Sequence, residues 1–142
     1  MDEQFEIDKF EMQAPALIFP GQLAPERAYG AAYDLLVRRE PAKALELVDA
    51  ALEDEPANRG LRSLRAWAYL LRAQLQKAEA ELRRLVEEVP DDEWARHALG
   101  RALERQSRFN DALPHLRLAA AMTGDPEHEA AVLRVERRLM GL

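Results

Sequence analysis

Three histidines, His97, His115 and His128, are the side chains of this 142-residue chain best suited to metal binding or proton transfer. They form no HExxH or HxH pair, and no cysteine is present to join them. The run "DPEHE", Asp125 to Glu129, gathers carboxylates around one histidine. A solvated helix start accounts for that composition better than a metal does. Glu87–Glu88 and Asp91–Asp92 fall in a helix end and a connector, not in a cleft where paired acids do acid–base work. Asp111 and His115 stand four residues apart, the spacing of a surface pair on one helix. Arg101, Arg105 and Arg108 make a basic stripe that could touch phosphate, or a solvated face that pairs with Glu104. The chain has no P-loop, GxGxxG or GxSxG. These residues imply no enzymatic reaction, no cofactor and no metal.

Composition narrows the partners. Apolar residues make up 48% and charged residues 32%, as in a folded domain, and the length suits one domain. The net charge of −6 argues against nucleic acid as the main partner. Residues 1–58 are acidic, whereas residues 59–142 are slightly basic. Arginine dominates the cations, which reads as genome composition and leads us to expect a bacterial source. The lack of cysteine fits a reducing cytoplasm. The opening "MDEQFEID" does not read as a secretory leader, and no apolar run is long enough to span a membrane.

A period of 34 residues organises the elements. Ala112, Ala78 and Ala44 are in register, as are Leu116, Leu82 and Val48. Gly100, Ala66 and Ala32 form a third series, and Leu103, Tyr69 and Leu35 a fourth. Small residues recur where helices must approach closely, and large apolar residues where they interdigitate. Within each copy the apolar spacing is i, i+3, i+4, i+7, an amphipathic-helix pattern. It predicts helices near 25–38, 42–54, 59–72, 75–88, 92–106 and 109–122. Asp91 or Asp92 is placed to cap the fifth, and Asp125 precedes a proline suited to a first helical position.

A 34-residue helix–turn–helix unit resembles the tetratricopeptide repeat, with its W-x2-L-G-x2-Y…A-x3-F…P pattern. The copy "ALGRAL" with "FNDALPHL" is most similar, although no copy has the Trp in register. The resemblance implies an all-α fold: a right-handed α–α superhelix of about seven helices. It divides the chain into an acidic tail (1–24), three hairpins (25–58, 59–92, 93–126) and a capping helix (127–142). On the capping helix, Val132, Val135, Leu139 and Leu142 form a stripe expected to cover the last hairpin. Leu133 and Met140 lie off that stripe, at the edge of a wide buried face or in a small exposed patch.

In this family the first helix of each hairpin lines the concave side. With Ala32, Leu35, Ala66, Tyr69, Leu99, Gly100 and Leu103 assigned to the core, the remaining face carries Glu26, Tyr29, Tyr33 and Leu36. The second hairpin contributes Ser63, Trp67 and Leu70, and the third Trp94, His97, Arg101, Glu104 and Arg105. Four of the five Tyr and Trp residues fall on this face, either as recognition surface or as core under neighbouring helices. It lacks the Lys and Asn expected of a version that clamps a C-terminal carboxylate. An apolar or aromatic segment with acidic flanks suits it better.

Residues 1–24 are such a segment, with Phe5, Phe10, Phe19 and five acidic residues. Two functions follow as expectations. One is a non-enzymatic adaptor or scaffold that binds a protein or peptide partner in the aromatic groove. The other is a self-assembling structural protein, possible as a homodimer, whose tail fills its own or a neighbour's groove.

Overall fold

The computed structural model describes residues 23–142, and within it seven α-helices of 13 to 15 residues and no strand. They are α1 (Leu23–Val37), α2 (Pro41–Asp54), α3 (Arg59–Leu71), α4 (Leu75–Glu88), α5 (Glu93–Arg105), α6 (Phe109–Thr123) and α7 (Pro126–Leu139). Local chemistry sets several starts. Asn58 caps α3, its side-chain oxygen accepting from the Leu61 amide at 3.0 Å. Asp92 does the same for the Ala95 amide of α5, also at 3.0 Å. Asp125 accepts from the Glu127 amide at 2.8 Å ahead of Pro126. Each cap satisfies an amide that the helix itself leaves unpaired.

The turns after α1, α3 and α5 are built alike. Arg39, Ala73 and Ser107 have φ of 64°, 56° and 60°, 34 residues apart. The next amide reaches back across each turn: Glu40 to the Leu35 carbonyl, Gln74 to Tyr69 and Arg108 to Leu103, at 2.8 to 3.0 Å. These are helix C-termini closed through a left-handed residue, a position that favours glycine. None of the three is glycine.

The helices belong to two compact units, one ending at Gln74 and the other covering Leu75–Leu142. In the first, α1 packs on α2, and α3 packs on both. Its core contains Ala32, Leu36, Ala44, Val48, Leu64 and Ala66. In the second, α4 packs on α5, α5 on α6, and α6 on α7. Its core contains Ala78, Leu82, Leu99, Leu103, Ala112, Leu116 and Val135. The small-residue series of the 34-residue period (32, 66; 44, 78, 112) is buried throughout.

Three expectations on burial need correction. Leu36 and Leu70, placed on the open face, are 1% exposed, whereas Leu35 and Tyr69, placed in the core, are only half-buried. The buried side of α7 is Ala131 and Val135, while Leu139 and Leu142 are exposed. Leu133 and Met140 form the exposed patch, not the edge of a buried face. α7 packs chiefly on α6, so its buried arc is narrow.

Candidate functional site

The nine residues assigned to the groove sort by unit and by accessibility. In the first unit, Tyr29, Ser63, Trp67 and Leu70 are buried and Tyr33 is half-buried. Trp67 is 2% exposed, so it is not an open groove side chain. The reason lies in α3, which is buried around nearly its whole circumference from Gly60 to Leu70. With residues buried on every side of α3, counting around it from one core stripe picks residues that are core on another side.

The aromatic residues nevertheless come together. Tyr29 stacks on Tyr33 with ring centroids 6.2 Å apart. Tyr33 meets Trp67 edge-on at 5.9 Å. Both arrangements are the favoured geometries of ring quadrupoles. Burial, with the neighbouring Tyr33, pushes the Tyr29 phenol well above its ordinary pKa, so it stays neutral. Tyr33 is the ring of the cluster that retains an accessible side.

In the second unit, Trp94 and Arg101 are partly accessible, Arg105 is exposed and His97 is buried. His97 stacks on His128 with centroids 4.1 Å apart and planes 19° from parallel. The His128 Nδ1 lies 3.0 Å from the Thr123 hydroxyl, which also accepts from the Asp125 amide. This pair, drawn from α5 and α7, was not legible in the spacing of the histidines. No group of three His, Cys, Asp or Glu able to hold a metal occurs among the described residues.

The arginines are engaged in ion pairs. Glu104 receives Arg101 at 3.1 Å and both Nε and Nη2 of Arg134, the latter at 3.0 Å. Partial burial and the Arg101 charge lower the Arg105 pKa, against the pull of Glu104, so two like charges share this turn. Arg108 pairs with Glu79 at 2.7 Å and Asp111 at 3.2 Å, closing the stripe as a paired face. The His115 Nδ1 lies 3.4 Å from the Arg96 guanidinium, and Asp111 acts on the ring through its charge. The tail (1–24) and its phenylalanines fall almost wholly outside the described residues.

No described helix is long and apolar enough to cross a membrane. No curated protein sequence matches the chain. A solved structure, the Sgt2 TPR domain from Aspergillus fumigatus, matches with a TM-score of 0.77 at 22% identity. The match covers 89% of this chain and 82% of that one, and it shows the fold to be the tetratricopeptide α–α solenoid. A tetratricopeptide repeat family model matches residues 35–103, which contain α2, α3, α4 and most of α5. Residues 35–103 thus match the tetratricopeptide repeat family, within a chain that has the tetratricopeptide solenoid fold, its 34-residue series buried and its left-handed turns in register.

Proposed function

We propose that the chain is a non-enzymatic module that binds a segment of another protein, and that Tyr33 is its aromatic contact. The observation that carries this reading is the accessible Tyr33 ring, held rigid between the buried Tyr29 and Trp67. A ring already fixed by its neighbours loses little entropy when a ligand covers it, which is what makes aromatic anchors effective. Tyr29, Ser63, Trp67 and Leu70 support that surface from beneath instead of touching the ligand. Trp94 and Arg105 offer a second surface, aromatic and cationic, suited to acidic residues, with Arg101 beside them held by Glu104. The fold likeness to a TPR domain favours protein partners over small molecules.

Site-specific photo-crosslinking tests the reading. A crosslinker at Tyr33 should capture a discrete partner that one at exposed Arg84 does not. A peptide from the captured segment should then bind with at least tenfold weaker affinity to Tyr33→Ala, which should remain folded at the assay temperature. Equal capture at the two positions would sink the proposal.

A second reading has residues 1–24 occupying this surface in the same chain or a neighbour. It is favoured by the three phenylalanines and the acidic charge of that segment. Deleting residues 1–20 should tighten binding of the captured peptide and change Trp fluorescence; no change in either removes this reading.

A further inference from the structure

α7 carries an outward stripe that nothing in the described chain covers. Leu133, at the middle of the helix, is 57% exposed, and Met140 is 67% exposed. At about 100° per residue, Pro126, Ala130, Leu133 and Met140 fall on one side of the helix. That side lies nearly opposite the buried Val135, and all four residues are exposed. Beside the stripe an apolar pocket of about 380 Å³ opens between α6 and α7, lined by Arg117, Ala120, Glu129, Val132 and Leu133.

The charges flanking the stripe are self-complementary. The first turn of α7 is acidic and the last is basic. Three of the six acidic and basic side chains of α7 are engaged inside the chain. Arg134 is bound to Glu104, Glu136 to Arg117 at 2.7 Å, and Arg138 lies over the Phe109 ring. Glu129 and Arg137, like Glu127 in the first turn, have no ion-pair partner among the described residues. They stand four residues before and four after Leu133.

We propose that α7 pairs antiparallel with α7 of a second copy, about a two-fold axis at Leu133. That axis places Glu129 of each copy opposite Arg137 of the other, and Pro126 opposite Met140. A two-fold axis perpendicular to a helix can only bring its copy in antiparallel, so the contact is isologous and closes at two chains. Antiparallel pairing also sets each helix's positive end beside the other's negative end. Each Leu133 leaves solvent in the contact, beside the pocket of the opposite copy. The surface is separate from that of the proposed function, since α7 carries none of the aromatic residues invoked there.

Sedimentation velocity on the full chain across a concentration series tests this directly. The wild type should dimerise reversibly. Leu133→Glu should abolish the dimer without loss of helicity or melting temperature, because the side chain is mostly in water. Glu129→Arg and Arg137→Glu should each weaken dimerisation about tenfold by setting like charges together at two symmetry-related places. The double variant should restore it.

Because the chain has no cysteine, geometry can be read separately. Leu133→Cys should oxidise readily to a disulfide-linked dimer. Glu129→Cys should not, since its copy would lie about 12 Å away along the axis. The proposal is overturned by a chain that stays monomeric at every concentration. It is equally overturned by self-association that survives Leu133→Glu, which would point to the N-terminal segment. Failure of the double charge variant to restore the dimer, or equal crosslinking of the two cysteine variants, would also overturn it.

Discussion

Gly100 of α5 and Leu116 of α6 approach so closely that a Cβ on the glycine would lie 2.5 Å from Leu116 Cδ2 and 2.6 Å from its Cγ. Leu116 is fully buried, so its side chain could yield only by shifting within a packed core. Gly100→Ala should therefore destabilise by about 1–3 kcal/mol despite alanine's better helix propensity. Leu116→Ala alone leaves a cavity and should cost about 2–5 kcal/mol. In the double variant the new methyl occupies part of that cavity, so denaturant melts should show a loss well below the sum of the two. Simple additivity would mean that the two side chains do not compete for space.

Trp67→Ala and Tyr33→Ala should separate cleanly. Truncating the buried Trp67 should cost about 3–5 kcal/mol of stability. Tyr33→Ala forfeits contacts to two rings from a half-buried position, worth about 1–2 kcal/mol. Thermal melts of the two variants check this. Similar stability for both would return Trp67 to the ligand surface that its sequence position suggests.

The left-handed turn residues predict stabilisation by glycine. Ala73 and Ser107 hold φ values that cost an L-residue about 1–2 kcal/mol. Ala73→Gly and Ser107→Gly should each raise stability by about 0.5–1 kcal/mol, after the entropy cost of a more flexible unfolded chain. A control, Ala112→Gly in the buried middle of α6, should destabilise. Loss of stability at both turns would contradict the strained geometry.

Acid should weaken the second unit in two stages. Burial pushes the His115 pKa below 6.5, and the Arg96 and Arg83 charges add to this against Asp111. The folded state thus prefers neutral His115, and its contribution is lost as pH falls below 6.5. Burial raises the Glu79 pKa, but hydrogen bonds from Gln106 and Arg83 and the nearby Arg108 and Arg83 charges outweigh it. The net value lies below 4.5, so the ionised form adds stability above that pH and loses it below. Urea melts of His115→Gln should remove the first loss, and those of Glu79→Gln the second. Unchanged profiles would remove these groups from the acid response.

The 34-residue recurrence of small and large apolar residues was enough to place six of the seven helices and to point to the repeat family, whose capping helix is the seventh. Helix pairs must bury a periodic face, and each close approach requires a small residue. A cap at Asp91 or Asp92 and the helix start after Asp125 were legible because capping is local chemistry between a side chain and amides two or three residues on; the structure assigns the first to Asp92. Gly100 was legible as a close contact for the same reason of size. Burial of Trp67 was not, because α3 is buried on more than one side, and a one-dimensional count sees only one of them. The stacked His97–His128 pair joins residues from helices two elements apart, and neither spacing nor residue type announces it. The left-handed turns at Arg39, Ala73 and Ser107 were equally hidden, since none carries the glycine that marks such a φ. Tertiary packing decided these features, because it fixes which faces meet and can hold a backbone angle that the residue itself does not favour.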